Sequence, residues 1–267
     1  MRIRIISLYI FLFCASLLNA QEKQENTRIV KVLSFNILHG ATTVGDFNLD
    51  NIAKVIIEAD PDLVALQEVD FLTNRAKKYD LVTELAYRTK MAPLFARAMP
   101  YDGGEYGEGI LSKWSFVSTR NVPLPYTEGN EPRAAAEIVT ILPSGDTIAF
   151  VGTHFDHLRN ERDRIAQANK VNEVFSSNRY PTILAGDLNA IPGSLTIDIL
   201  TDIWTVTDQK NPPSPTMPSD NPRSKIDYVM YYPHNRWRVL ETKVIQDPIA
   251  SDHCAYLVTL ELLNNKL

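Results

Sequence analysis

Apolar residues gather in short β-branched runs, and the same ending recurs along the chain: a polar residue where the run stops. Arg28 to Phe35 alternates and is rich in Ile and Val, which predicts a strand ending at Asn36. Asp62 to Leu66 predicts a buried strand that delivers Gln67-Glu68. Pro181-Thr182-Ile183-Leu184 predicts another, followed by Ala185-Gly186-Asp187-Leu188-Asn189, where Gly186 is expected to let the backbone turn. Strands are also expected over Ala92 to Arg97, Gly109 to Ser112, Ser115 to Arg120, Ala135 to Leu142 and Thr147 to Gly152. Pro143-Ser144-Gly145-Asp146 reads as a hairpin turn between the last two. Ile226 to Tyr231, Arg238 to Ile245 and Cys254 to Leu260 complete the strands. A helical period appears at Leu49, Ile52, Ala53 and Ile56, and Pro61 stops it. Tyr79 to Thr89, Glu161 to Ser177 and Ser194 to Leu200 are the other predicted helices, and the five prolines between Asn211 and Pro222 mark a loop. Strands alternate with helices at first and then run consecutively. That order predicts layered α/β architecture with antiparallel sheets and helices outside.

The N-terminal segment follows a different rule. Arg2 and Arg4 precede an apolar run from Ile5 to Leu18, and Leu18-Asn19-Ala20 offers a cleavage site before Gln21. Residues 1–20 are therefore expected to be a signal peptide, residues 21–28 a loose mature terminus and residues 29–267 a single domain, exported to a periplasm or the exterior. Loss of the leader removes Cys14 and leaves Cys254 alone, so the mature chain has no internal disulfide and rests on its core. It also leaves 25 basic residues against 32 acidic ones, a formal charge of −7. Such a chain gets no overall electrostatic help in binding nucleic acid or anionic lipid. A small phosphorylated molecule or lipid headgroup suits that charge best. Nucleic acid stays open as a partner through a local basic patch, for which Arg75-Lys77-Lys78 and Arg159-Arg162-Arg164 are the clusters available. No stable protein partner is implied, and a monomer is expected.

The polar residues at the strand ends carry the chemistry. They are Asn36, Glu68, His154 with Asp156, Asp187 with Asn189, Asp227 within Lys225-Ile226-Asp227-Tyr228, and Asp252-His253. Taken singly, each has an ordinary structural explanation; Asp-Leu-Asn alone is a common turn. Together they are carboxylates, amides and imidazoles without cysteine, a donor set that suits a hard cation such as Mg²⁺ with a phosphate substrate. Asn36, Leu66-Gln67-Glu68, Gly186-Asp187-Leu188-Asn189, Ile226-Asp227-Tyr228 and Ser251-Asp252-His253 occur in an order and spacing that resemble the endonuclease/exonuclease/phosphatase superfamily, the DNase I-like fold. The ordered set spans nearly the whole mature chain, and no single tetrapeptide in it is specific.

The resemblance implies a four-layer α/β sandwich, two mainly antiparallel sheets packed face to face with helices outside. It implies a metal site at Glu68, Asn36 and Asp252, with Mg²⁺ as the ion and Mn²⁺ or Ca²⁺ as alternatives. Asp187 and Asn189 would orient water and phosphate. His253, oriented by Asp227, would act as general base or phosphate contact, and His154 would stand beside the scissile phosphate. Two segments depart from the commonest pattern. Gly109-Ile110-Leu111-Ser112-Lys113-Trp114 lacks the usual closing Arg-Tyr-Pro, and Thr153-His154-Phe155-Asp156-His157 looks like the bacterial secreted branch near sphingomyelinases. Arg133 and Asp156 are candidate substrate contacts, although Arg133 could equally form a surface ion pair. The expected activity is a metal-dependent phosphoesterase acting on a mono- or diester. A Mg²⁺-dependent nuclease, a silent binding protein on the same fold and a two-carboxylate glycoside hydrolase are the rivals; the last gives no role to Asn36, Asn189 or the Asp227 and His253 pair.

Overall fold

The computed structural model describes residues 28–264. The predicted leader and most of the loose mature terminus lie outside them. Twelve strands form two six-stranded sheets. The first has the order β11(Trp237–Ile245), β12(Ala255–Leu262), β1(Ile29–Asn36), β2(Leu63–Phe71), β4(Gly104–Ser112), β3(Ala92–Tyr101). The second has the order β5(Phe116–Leu124), β6(Arg133–Ile141), β7(Thr147–His154), β8(Thr182–Asp187), β10(Asp227–Tyr232), β9(Thr205–Val206). Each sheet holds one parallel pair, β1 with β2 and β7 with β8; the other pairs are antiparallel. Every predicted strand is present. The two-residue β9 is the one that the pattern did not announce, because two residues carry no period.

Side-chain alternation builds the layers. On β1, Val30 and Val32 enter the core between the sheets beside Ile138, Phe150, Val229 and Val258. Leu33 and Phe35, on the opposite face, pack under α1(Leu49–Ala59) and α2(Leu81–Thr89). The second sheet turns Val151, Leu184 and Met230 outward against α3(Arg162–Phe175) and α4(Leu195–Thr201). The order is helices, sheet, sheet, helices, which is the expected four-layer sandwich. Asn48 and Asp80 cap α1 and α2 through side-chain oxygens, as the start of an amphipathic helix requires. No helix among the described residues is long and apolar enough to cross a membrane.

Topology decides where the polar strand ends meet. Within each parallel pair the C-terminal ends share one edge, and β10 and β12, which run antiparallel, start there. Across β7, β8 and β10, His154 stands level with Asp187 and Asp227 with Asp187, so one row crosses three strands. Gly186 lies inside β8, where a Cβ would sit 2.0 Å from the Thr153 carbonyl oxygen. The glycine is there for close approach to β7 and not for a turn, which corrects the sequence expectation. Trp237 and Tyr231 are buried along their strands. Cys254 is buried too, and that burial pushes its thiol up to about 11, so it stays an unreactive core residue.

Candidate active site

Glu68 reaches the shared edge through an irregularity in β2. Its pairing with β4 shifts between Leu66 and Val69, and Glu68 takes a left-handed φ of 58°. Such a bulge re-aims a side chain that regular alternation would have sent into a core. Asn189, with φ 48°, plays the same part just beyond β8. The carboxylate of Glu68 accepts from Asn36 Nδ2 at 3.1 Å and lies 3.3 Å from His39 Nδ1. Burial works against its charge, but these two bonds overcome burial and hold the carboxyl below its ordinary range.

Asn36 joins the two halves of the site. Its oxygen accepts from Leu38 N, which turns the amide nitrogen toward both Glu68 and Asp187 Oδ2, the latter at 3.3 Å. Asp187 is fully buried, and burial together with the nearby charge of Asp227 raises its carboxyl to about 7. His253 Nδ1 stands 3.1 and 3.2 Å from the two oxygens of Asp227, and its Nε2 is 3.7 Å from Asp187. Burial disfavours a charged imidazole, yet the Asp227 carboxylate more than reverses this and lifts His253 to about 10. The Ser251 hydroxyl ties the His253 segment down: it donates to Asn36 O at 2.7 Å and accepts from His253 N. The proline-rich loop braces the same segment through Ser219 N to Asp252 O and Cys254 N to Thr216 O, both 2.7 Å.

Glu68, His39, Asp187 and His253 line one open cleft of about 360 Å³ that also takes in Asp252, His154, Asn189 and Arg133, with Asn36 and Asp227 buried behind them. Asp187, Asp227 and His253 offer ligand atoms within 4.8 Å of one another, spacing that can hold a divalent cation. His253 Nδ1 already faces Asp227, while Glu68 and Asp252 bring carboxylate oxygens to the same cleft, and such hard oxygens fit the same class of ion.

Some sequence candidates fall elsewhere. Asp156 is buried outside the cleft, where Oδ1 accepts from Leu158 N and closes the turn before α3. Arg164 points inward to the carbonyls of Asp156 and Leu158, and neither Arg159 nor Arg162 lines the cleft. Lys113 pairs with Asp60 and Asp62. Arg133 is not a surface residue: it is 2 % exposed, 2.8 Å from His154 Nδ1. His157 does line the cleft, 3.2 Å from Arg133.

Sequence reasoning passed over His39 and Glu108. His39 follows β1 in a left-handed turn and carried no signal beyond the neighbouring glycine. Glu108 hides inside β4, fully buried, and neither carboxyl oxygen has a hydrogen-bond partner. Burial outweighs the pull of Arg133 and pushes its carboxyl well above the ordinary value of 4.5, so the folded protein keeps that proton. Above pH 4.5 the unfolded chain releases it and the folded chain does not; stability therefore falls as pH rises from there. Glu108→Gln is expected to raise Tm at pH 7 relative to the native protein and to bring no gain near pH 4. A Tm difference that stays constant across that range, followed by circular dichroism, would remove the neutral carboxyl.

Residues 33–253 match the model of the Endonuclease/Exonuclease/phosphatase family. The chain belongs to that family of phosphoester hydrolases. An endonuclease/exonuclease/phosphatase from Beutenbergia cavernae is 24% identical, with a TM-score of 0.74 over 88% of this chain and 72% of that one. A mannosyl-6-phosphatase from Bacteroides thetaiotaomicron is 18% identical, with a TM-score of 0.68 over 88% of this chain and 100% of that one. The catalytic domain of human Nocturnin with bound sulfate is 19% identical, with a TM-score of 0.69 over 89% and 96%. At these identities the likeness shows the DNase I-like fold.

Proposed function

We propose that this protein is an exported, Mg²⁺-dependent phosphoesterase that hydrolyses a small phosphorylated molecule, a sugar, an inositol or a lipid headgroup, by attack of water. The observation that carries the reading is the convergence of Glu68, Asp252, Asp187 and His253, backed by Asp227, on one cleft. Glu68 and Asp252 would hold the ion, and Asn36, which donates to both Glu68 and Asp187, spaces the two apart. The chemistry supplied there by a divalent cation would be neutralisation of charge on the non-bridging phosphate oxygens. Asp187, poised near neutrality, receives the proton of the attacking water. His253, kept protonated by Asp227, donates to a phosphate oxygen, so its raised proton affinity supports the phosphate-contact role over that of general base.

The choice of a small substrate rests on the walls. Arg75 gives Asp70 two hydrogen bonds of 2.7 and 2.9 Å, and Arg133 is enclosed beside Glu131 and two histidines. Neither offers a free cation to track a nucleic-acid backbone, which needs a basic path. Tyr101, with the Arg75 guanidinium 4.6 Å from its ring centre, and Tyr106 add an aromatic wall suited to a polar ring. The cleft volume also matches a small ligand. Export rests on the leader pattern of Arg2, Arg4 and the run Ile5 to Leu18, and Thr153 to His157 gives the likeness to the secreted sphingomyelinase-like branch. The test is ³¹P NMR of the protein with Mg²⁺ and, in turn, a hexose 6-phosphate, an inositol polyphosphate, sphingomyelin in detergent and an oligonucleotide. Loss of one of the first three signals, blocked by EDTA, is expected. Cleavage of the oligonucleotide alone would overturn the small-substrate reading in favour of a nuclease, and turnover resistant to EDTA would overturn the metal.

A further inference from the structure

The ring of His154 meets two unlike environments. Nδ1 lies 2.8 Å from Arg133 Nη1, while Nε2 faces the cleft floor, 3.1 Å from Asn189 Nδ2 and 3.5 Å from Asp187 Oδ2. A guanidinium has five N–H donors, no acceptor, and does not give up its proton in proteins. At 2.8 Å, Nδ1 can therefore only accept. A proton on that nitrogen would set one N–H against another, whether the ring were neutral or doubly protonated.

Arg133 cannot turn away to relieve such a clash. It opens β6 next to β7, and its Nη1 also reaches Glu131 Oε1 at 3.2 Å and the Tyr106 hydroxyl at 3.5 Å. Its Nη2 faces His157 Nδ1 at 3.2 Å. With Nδ1 bare, the one proton of a neutral ring sits on Nε2. On that side Asn189 also presents an N–H, with Nδ2 3.1 Å from Nε2. This longer contact from a neutral amide costs an Nε2 proton less than the 2.8 Å guanidinium contact would cost an Nδ1 proton. Asn189 Nδ2 donates to Phe155 O at 3.0 Å, and the flipped amide would set oxygen against oxygen. Asp187 Oδ2 lies at the limit of hydrogen-bond reach and already accepts from Asn36. The Nε2 proton thus has no good partner within the protein, and because His154 lines the cleft, a ligand oxygen entering there would supply one.

We propose that Arg133 is a positioning residue that locks His154 as the neutral Nε2–H tautomer, making His154 a fixed hydrogen-bond donor to a substrate phosphoryl oxygen. The acceptor rests on the phosphoesterase reading; the tautomer does not. His154 then has no part as a base, since its only lone pair is turned to the guanidinium. The same cleft holds His253 against a carboxylate and His154 against a guanidinium, so the two imidazoles are held in opposite protonation states by their partners.

Long-range ¹⁵N–¹H correlation NMR of ¹⁵N-histidine-labelled protein at neutral pH tests this, with the His154 ring assigned by its loss in His154→Gln. A bare Nδ1 with the proton on Nε2 is expected. A proton on Nδ1, or the pattern of a doubly protonated ring, would overturn the proposal without any measurement of activity. Arg133→Lys, another obligate donor, should keep the tautomer. Arg133→Glu presents an acceptor and should move the proton to Nδ1; retention of the Nε2–H form in a folded Arg133→Glu protein would also overturn it. The native spectrum decides even if that variant fails to fold. Finally, inorganic phosphate with Mg²⁺ should shift the His154 Nε2 resonance and leave Nδ1 bare. An unmoved Nε2 at saturating phosphate, with the tautomer intact, would overturn the donor role, whereas the phosphoesterase reading itself stands or falls on the substrate panel.

Discussion

Glu68→Gln is expected to lower kcat/KM by on the order of 10³-fold at ordinary Mg²⁺, since an ion in such a site contributes several kcal/mol and each 1.4 kcal/mol is a factor of ten. The substitution keeps shape and removes charge. Glu68 is ionised at neutral pH because its bonds from His39 and Asn36 outweigh burial. An amide in its place still has an oxygen for Asn36 but offers the ion a neutral ligand. Turnover should recover in part as Mg²⁺ is raised, and circular dichroism should match the native protein. The left-handed backbone at this position is equally uncomfortable for Glu and Gln, so the fold does not confound the comparison. Turnover within tenfold of the native protein, with an unchanged Mg²⁺ requirement, would sink Glu68 as the ligand. His39→Ala should cost less, because His39 touches the carboxylate only through Nδ1 at 3.3 Å.

Most of the fold was legible because its strands are bounded by hydrophobic period and by turn residues. Val30 and Val32 on one face of β1 and Leu33 and Phe35 on the other announce a strand buried on both sides. Such strands end where a polar residue can first be tolerated, and that is why Asn36, Asp187 and His154 could be singled out. Glu68 was placed at a strand end by the run before it, its metal role came from the resemblance, and the bulge that presents it inside the longer β2 left no trace in local composition. Burial of charge was the illegible part. Arg133 and Arg164 look like surface residues in a polar run, and only the closed sandwich shows them surrounded. Glu108, between two glycines, lies just before the predicted strand Gly109 to Ser112, and only the longer β4 shows it in the interior. The missing Cβ of Gly186 serves close approach to β7, a use that local sequence cannot tell apart from a turn.

His253→Ala is expected to reduce kcat by about 10² to 10⁴, the usual worth of a positioned acid or base. A more discriminating change is Asp227→Asn, which leaves the imidazole in place and alters its proton. Asp227 is the main reason that His253 rises to about 10. With a neutral amide opposite Nδ1, burial acts unopposed by that charge and the imidazole loses its proton at lower pH. If His253 works in its protonated form, the alkaline limb of the kcat/KM profile must move toward acid in Asp227→Asn. The acid limb belongs to Asp187, and it responds as well. Asp227 is one of the charges that hold Asp187 at about 7, so removing it lets Asp187 ionise earlier. Both limbs should therefore slide downward in pH together. If His253 worked as a base instead, it would need to be deprotonated, and Asp227→Asn would extend activity to lower pH without bringing in the alkaline limb. Stopped assays of phosphate release across the pH range, on the substrate found by ³¹P NMR, separate the two. An alkaline limb that stays where it was would withdraw the protonated imidazole from the reaction.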